Sequence, residues 1–166
     1  MDELIIRFAR NPQSRYKYND YRNEDAVKNL INYVYHNAVV QIPKGERIYG
    51  AIGTIGRSRE EVINSFMLVK KIYGKEYGVQ VKHIIVSFDE KRDIPYNKMK
   101  KFIEKLIRFF SRDYMVAYGV HYTPNNYHLH MAINSVSKYG MKINIKYETL
   151  CDFRQYANNL WKKWRS

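Results

Sequence analysis

The pattern of apolar and polar residues is clearest around His121, His128 and His130, where it predicts a β-hairpin. His128 and His130 alternate with apolar residues, which would form the opposite, buried face of a strand. His121 ends a second apolar run, and the loop 122–126 between the runs contains proline and asparagine, which favour turns. Antiparallel pairing would bring His121 to roughly 5 Å from the histidine pair. The pattern therefore predicts three imidazoles on one face of a sheet.

Longer apolar stripes elsewhere in the chain predict helices. Ser58 and Glu61 have the spacing of a capping box, and Asn23 and Pro95 are suited to begin two further helices. The segment 38–57 has no clear period. Its residues 49–56 contain three glycines without the ending of a phosphate-binding loop, so we expect a flexible turn region over 49–56. The other predicted elements are a strand over 3–9, a loop over 10–22, helices over 24–37, over 58–74 and from residue 95, a strand over 79–88, a short connection or strand over 138–145, and a helix over 148–164.

The order of these elements predicts one α+β domain over residues 1–166. Strands that include a hairpin, with long helices between them, favour a central antiparallel or mixed sheet flanked by helices. This sheet would carry the three-histidine hairpin. A chain of 166 residues is long enough for a domain with its own core, and a hydrophobic content of 45% excludes a disordered chain.

The positive charge of the chain predicts a polyanionic partner. Lys and Arg number 29 against 16 Asp and Glu, a net charge of +13, and 16 tyrosines are interspersed with these cations. The combination suits single-stranded nucleic acid, whose bases stack on aromatic rings while its phosphates pair with cations. The sequence has no membrane-spanning run and no signal peptide, and the single cysteine, Cys151, excludes an internal disulfide. We therefore expect a cytoplasmic protein with no membrane partner.

Three histidines without cysteine ligands indicate a catalytic metal site rather than a structural site of the finger type. A metal held by three imidazoles keeps positions open for substrate, and a basic, aromatic surface beside it suits phosphate chemistry. A tyrosine is the candidate nucleophile, because a phenolate can attack phosphorus and stay attached; its usual pKa of about 10 requires positive charge nearby. Composition leaves open which of the 16 tyrosines this is. We interpret His83 as a strand residue and His36 as a residue near a helix C-terminus.

Four blocks of the sequence resemble the conjugative relaxases of the relaxase/mobilisation nuclease family. This group of HUH endonucleases contains the T-DNA border endonuclease and Gram-positive mobilisation proteins. Residues 29–35 are similar to the segment that bears the nucleophilic tyrosine of the family. Residues 70–75 precede 78–88, which looks like the family's strand ending in Ser-Phe. The three histidines, with Asn134 on the same strand face, resemble the three-histidine motif.

The resemblance implies that His121, His128 and His130 hold Mg²⁺ or Mn²⁺, and that Tyr33 is the nucleophile, with Tyr35 as second choice. It implies nicking of one DNA strand at an origin of transfer, a 5′-phosphotyrosine intermediate and rejoining, during conjugative transfer of a plasmid or integrative element in the bacterial cytoplasm. The implied partners are this DNA, single-stranded near the nick, a relaxosome accessory protein and the coupling protein of a secretion system. The residues that we expect to contact DNA are Ser87, Asn134, Lys82, Lys70 and Arg57.

The loop 122–126 departs from the family, whose members often place acidic residues between the first and second histidines. This loop has no acidic residue, so an acidic partner that orients a ligand histidine comes from elsewhere or is missing. Three alternatives stay open. One is a rolling-circle replication initiator or single-strand transposase. In the transposases the tyrosine follows the histidines, as Tyr147 and Tyr156 do here. The others are a non-enzymatic single-stranded DNA-binding protein and a three-histidine metallohydrolase for a small substrate, which leaves the charge unexplained.

Overall fold

A five-stranded antiparallel sheet forms the centre of the fold, with helices on both of its faces. The structure is a computed structural model and describes residues 4–9, 21–40, 45–88, 95–123 and 126–166. In chain order the elements are β1 Ile5–Phe8, α1 Ala26–Val40, β2 Tyr49–Ile52, α2 Arg59–Ile72, β3 Val81–Phe88, α3 Tyr96–Ser111, β4 Val116–Thr123, β5 Asn126–Asn134 and α4 Tyr147–Arg165. The strands lie in the order β1-β3-β5-β4-β2, and each neighbouring pair is antiparallel. The predicted α+β class is confirmed, and the sheet is antiparallel rather than mixed.

The two faces of the sheet differ in the size of the side chains they present. The face under α3 and α4 carries large residues such as Phe88, Leu129 and Met131, which form the larger core with those helices. The face under α1 and α2 carries the small residues Ala117 and Ala132 in the second core. Strand residues alternate between the two faces, so the small residues share a face with the histidines of the hairpin. Small side chains on this face let α1 lie close to the sheet.

Gly119 marks a close approach between β4 and α1. A Cβ atom at this position would lie 2.6 Å from the carbonyl oxygen of Val34 and 3.1 Å from the Cβ of Ala38. Protein interiors are close-packed, so a side chain at position 119 would push the α1 backbone away. The approach also brings the Val34 carbonyl to His121, whose Nε2 donates a hydrogen bond to it at 2.9 Å. The glycine therefore determines how α1 sits over the histidine face.

The predicted hairpin and capping box are present in the structure. His121 pairs with His128 across β4 and β5, and the ladder extends to Thr123 and Asn126, so the strands are longer than predicted. Ser58 accepts a hydrogen bond from the backbone of Glu61, and the Glu61 side chain accepts one from the Ser58 backbone. Residues 10–20 of the predicted loop over 10–22, and residues 124–125 of the hairpin loop, lie outside the described residues.

The strand β2 corrects the prediction of a flexible turn region over 49–56. This four-residue strand contains Gly50 and pairs with β4 at the edge of the sheet. Short strands with glycine have a weak local signal, and β2 is stabilised by a partner far along the chain.

The segment 138–145 forms no strand, although an isolated bridge links Val136 to Lys142. Among the described residues, no helix has the length and apolar character needed to cross a membrane.

Candidate active site

The three histidines of the hairpin lie together on the face of the sheet that α1 covers. The imidazoles of His121 and His130 stack with their centroids 3.9 Å apart, and those of His128 and His130 are 6.4 Å apart. His121 and His130 are buried, whereas His128 is partly exposed. The pairing of β4 with β5 therefore brings together the three residues that the hairpin pattern singled out.

His83 of β3 is a fourth member of this cluster, which the sequence prediction did not include. Its Nε2 lies 2.9 Å from Nδ1 of His130, and its Nδ1 lies 2.9 Å from the hydroxyl oxygen of Tyr21. His83 is a strand residue, as predicted, but it also connects the hairpin to the segment before α1. The sequence does contain a signal for this position of His83. His83 and Ser87 are four residues apart on one strand and must share a face, and Ser87 was expected to contact DNA.

Tyr33 of α1 lies directly over the histidine cluster. Its ring makes T-shaped, edge-on contacts with three imidazoles, at centroid distances of 5.2 Å to His121, 5.4 Å to His130 and 6.1 Å to His83. The Tyr33 side chain is 46% exposed, so solvent reaches it from outside while its ring touches the cluster. The helix backbone that carries Tyr33 comes close to the sheet one residue further on, where Val34 lies over Gly119.

Tyr35 is only two residues further along α1, but its side chain lies in the core. It is 3% exposed, and its ring packs against that of Tyr49 at 5.3 Å. Burial raises the pKa of the Tyr35 phenol well above its usual range, with the neighbouring Tyr118 and Tyr49 acting in the same direction. Within the described ranges its hydroxyl has no hydrogen-bond partner. A buried phenol that resists ionisation suits a nucleophile poorly, so the geometry favours Tyr33 over Tyr35.

The histidine cluster is neutral because most of it is buried. Burial lowers the pKa of His83 to about 3 and that of His130 to about 2, and the neighbouring imidazoles act in the same direction. Burial also lowers the pKa of His121, opposed by its hydrogen bond to the Val34 carbonyl, and lowers the pKa of His128. A neutral imidazole has a lone pair on one ring nitrogen, which is the form that binds metal ions.

Arg7 is a charged residue on the histidine face of the sheet, and the sequence prediction did not include it. It is exposed on β1, opposite Ile85, which in turn pairs with His130. After burial and the other imidazoles, its guanidinium contributes to the lowered pKa of His83 and of His130. No carboxylate of the described residues appears among the groups that act on these histidines. The side-chain charge that acts on these histidines is therefore the positive charge of Arg7, which favours an anionic ligand such as a phosphate.

The residues expected to contact DNA are placed in different parts of the fold. Ser87 pairs with His128 and so lies on the histidine face, partly exposed. Lys82 pairs with Ile133 on the opposite face of the sheet. Arg57 is exposed in the loop before α2, where its backbone N–H donates to the Glu61 carboxylate. Of these three, the structure brings only Ser87 to the histidines.

Lys70 and Asn134 are both fully buried and contact each other. The Lys70 ammonium donates to Asn134 Oδ1 and, at 3.2 Å, to Ser135 Oγ, while Asn134 Nδ2 donates to the Phe66 carbonyl at 3.2 Å. Burial and the nearby Lys142 ammonium lower the pKa of Lys70 to about 7. These contacts join α2 to the end of β5. The pair lies inside the protein, where it offers no surface to a DNA strand.

The imidazole nitrogens of the cluster are donors that suit a divalent metal ion, although the rings are not oriented toward one common point. Because Nε2 of His121 donates to the Val34 carbonyl, Nδ1 of that ring is left as its lone-pair donor. The stacked rings of His121 and His130 have nearly parallel planes, so their lone pairs do not meet at one point. In the part of the chain that the structure describes, no group of three or more His, Cys, Asp or Glu is arranged to hold a metal. The residues therefore fit a metal in the type of donor atom they offer, and binding would require the rings of the cluster to shift relative to one another.

The fold and the site define a class of protein: an α+β domain in which a helix sets a tyrosine over histidines on an antiparallel sheet. Residues 33–165 match the family model described as relaxase, MobA/VirD2-like, nuclease domain. This range is most of the chain, so the protein belongs to that relaxase family, whose members act on DNA. No curated protein and no solved structure matches the chain.

Proposed function

We propose that this relaxase nicks one DNA strand at a specific site in an origin of transfer and later rejoins the ends, with Tyr33 as the nucleophile. The observation that carries this proposal is the contact of the half-exposed Tyr33 ring with three imidazoles of a neutral histidine cluster. The net charge of +13 supports a DNA substrate, and the family match supports a nuclease. The biological setting would be conjugative transfer of a plasmid or integrative element in a bacterial cytoplasm.

The proposed reaction is a transesterification at phosphorus. The Tyr33 hydroxyl gives its proton to solvent water, which also supplies the proton for the leaving oxygen, and the tyrosine oxygen forms a bond to the phosphorus of the scissile phosphodiester. The bond from phosphorus to the 3′ oxygen breaks, and this oxygen takes a proton to become a free 3′ hydroxyl. The 5′ phosphate stays on the tyrosine, so the energy of the phosphodiester bond is retained. Attack of a 3′ hydroxyl on the phosphotyrosine reverses these steps and rejoins the strand.

His121, His128 and His130 would hold the metal, Mg²⁺ or Mn²⁺. A divalent ion bound there offsets negative charge on the phosphate and favours ionisation of a nearby phenol. The chain's own residues would do the positioning. The α1 helix holds the phenol over the cluster, and Arg7 and Ser87 are on the same sheet face to contact a phosphate. Because the imidazoles are neutral, they do not repel the positive charge of the ion.

The position of the late tyrosines supports an early nucleophile over a transposase-like arrangement. Tyr156 of α4 packs against Phe109 and donates to the Lys105 carbonyl at 2.7 Å, partly buried beside the core on the sheet face opposite the histidines. Tyr147 begins the same helix. Tyr156 is therefore on the side of the sheet away from the cluster, where it is poorly placed to attack a phosphate bound there. We therefore prefer the relaxase over the initiator or transposase. For a relaxase we expect an accessory protein and a coupling protein as partners.

The substitution Tyr33→Phe tests the proposal, because it removes the attacking oxygen and leaves the ring contacts. Wild-type protein incubated with Mn²⁺ and single-stranded oligonucleotides from its own genetic element should form an adduct that survives denaturation. Tyr33→Phe should form none, a loss of at least about 1000-fold as expected for a missing nucleophile. Its binding to the same oligonucleotide, measured by fluorescence anisotropy, should be unchanged.

Tyr35→Phe is the matched control, since it removes a hydroxyl from the same helix at a buried position. It should form the adduct at the wild-type rate. An adduct with Tyr33→Phe and none with Tyr35→Phe would refute the assignment of Tyr33. Tight binding of the oligonucleotide by the wild type without any adduct in Mn²⁺ or Mg²⁺ would favour a non-enzymatic DNA-binding protein.

A further inference from the structure

We propose that His83 and Tyr21 form a hydrogen-bonded relay that orients His130 as a metal ligand, in the role that an acidic residue often has. The proposal rests on the metal centre of the proposed function and assigns two residues that the three-histidine motif does not include. The observation behind it is the chain of contacts from Tyr21 Oη to His83 Nδ1 and from His83 Nε2 to His130 Nδ1, each 2.9 Å long.

A metal ligand needs an orienting partner on its second ring nitrogen. Ligating histidines usually donate that N–H to a carboxylate, a backbone carbonyl or water, which fixes the tautomer and the ring. His121 has such a partner, because its Nε2 donates to the Val34 carbonyl. For His130 the partner on Nδ1 is the His83 ring, and the described residues place no carboxylate among the groups that act on it.

The direction of the hydrogen bonds follows from the metal. If His130 binds the ion through Nε2, its Nδ1 carries the proton and donates to Nε2 of His83. His83 then carries its own proton on Nδ1 and donates it to the Tyr21 hydroxyl oxygen. In the opposite direction Tyr21 donates, and each imidazole carries its proton on Nε2. That arrangement would block Nε2 of His130, so only the first direction is compatible with a metal.

The relay is part of the folded core of the site and not a surface contact. His83 and His130 are 5% and 4% exposed, and β3 and β5 place them on the same sheet face, where His83 pairs with Ala132.

Tyr21 is held in place by its backbone, whose carbonyl accepts a hydrogen bond from the Gln80 N–H at 2.7 Å. The Gln80 side chain in turn donates to the carbonyls of Glu76 and Gly78. A partner positioned in this way can keep the His130 ring in one orientation.

The test measures Mn²⁺ affinity directly, by calorimetry or by the paramagnetic resonance signal of the free ion, without DNA. His83→Ala should weaken Mn²⁺ binding by about 10- to 100-fold, the loss typical of removing an orienting partner. His83→Gln should bind within a few-fold of the wild type, because its Oε1 can accept the His130 N–H where Nε2 did. Tyr21→Phe should give a smaller loss than His83→Ala, since it removes only the second hydrogen bond of the relay.

Two controls separate orientation from general damage to the fold. Tyr73→Phe removes a phenol that donates to the Lys138 carbonyl at 2.9 Å, away from the relay, and should leave Mn²⁺ affinity unchanged. Thermal unfolding of each variant without metal reports whether the fold is retained. Electron spin-echo spectroscopy of bound Mn²⁺ counts the coordinated imidazole nitrogens, and this count should be the same in the wild type and His83→Gln.

The outcomes distinguish the relay from the metal centre itself. Wild-type affinity in folded His83→Ala would overturn the relay and leave the proposed function intact. Loss of one coordinated nitrogen in His83→Gln would also overturn the relay, because His83 would then be a ligand. Equally weak binding in His83→Gln and His83→Ala would overturn it as well. No Mn²⁺ binding by the wild type would overturn the proposed metal centre and the relay together.

Discussion

The substitution Gly119→Ala tests whether the close packing of α1 on the sheet holds Tyr33 over the histidines. Gly119 lies on the histidine face of β4, opposite His130, and beneath the Val34 carbonyl. The added methyl group changes neither the charge nor any ring of the site. It acts only by moving α1, which carries the proposed nucleophile.

The size of the effect follows from the contact distances. The new Cβ would lie 2.6 Å from the Val34 carbonyl oxygen, whereas ordinary contact begins at 3.4 Å, so the atoms must separate by about 0.8 Å. The obstructing atom belongs to the backbone, so the whole turn of α1 has to move. Overpacking of this kind costs about 1–3 kcal/mol of stability. A displacement near 1 Å at a reacting atom can slow a reaction by about 100-fold.

We therefore expect Gly119→Ala to lower the free energy of unfolding by about 1–3 kcal/mol and to slow adduct formation by roughly 10- to 100-fold. Urea denaturation measures the first quantity. A time course of covalent adduct formation with excess single-stranded oligonucleotide and Mn²⁺ measures the second, at a temperature where both proteins are folded. Oligonucleotide binding should change little, because the charges of the surface are untouched.

Gly50→Ala is the matched control for this experiment. Gly50 is also a strand glycine, but its Cβ would meet the hydroxyl end of the Tyr118 side chain at 3.2 Å, which a small side-chain shift can relieve. It should react at nearly the wild-type rate. If Gly119→Ala has wild-type stability and a wild-type rate of adduct formation, the close approach at Gly119 does not position Tyr33.

Two further predictions concern buried polar groups. The pKa of Lys70 is lowered to about 7, so between pH 7 and about 10.5 the unfolded chain binds a proton that the folded protein does not. The contribution of Lys70 to the free energy of unfolding therefore rises with pH across that window. Denaturation of the wild type and of Lys70→Met from pH 6 to 10 measures this rise, which should be missing in Lys70→Met. Tyr35→Phe removes a buried hydroxyl that has no partner among the described residues, so the unfolding free energy should stay the same or rise by up to about 1 kcal/mol. A loss above about 1 kcal/mol would indicate a hydrogen bond at that hydroxyl.

The hairpin could be predicted because its signals are local. Alternation of apolar residues with His128 and His130 selects a strand face, and the short polar loop leaves little freedom in the pairing with His121. The capping box at Ser58 is equally local, because its two partners are three residues apart. Signals of this kind depend on backbone geometry that a few neighbouring residues determine.

The relay and the edge strand could not be predicted in the same way. The contact between His83 and His130 joins residues 47 apart in sequence, and that between Tyr21 and His83 joins residues 62 apart. The strand β2 likewise depends on β4, more than 60 positions further on for each pair. Such contacts follow from the order of strands in the sheet, which local patterns do not encode.

The sequence by itself determined the α+β class, the three-histidine hairpin, the basic character of the chain and a short segment with two candidate tyrosines. Only the tertiary structure decided which of them contacts the histidines. Tyr33 and Tyr35 have the same chemistry on the same helix, and their directions depend on how α1 is rotated about its axis. That rotation is set by packing on the small residues of β4 and β5, above all at Gly119, where only a glycine leaves room for the helix backbone.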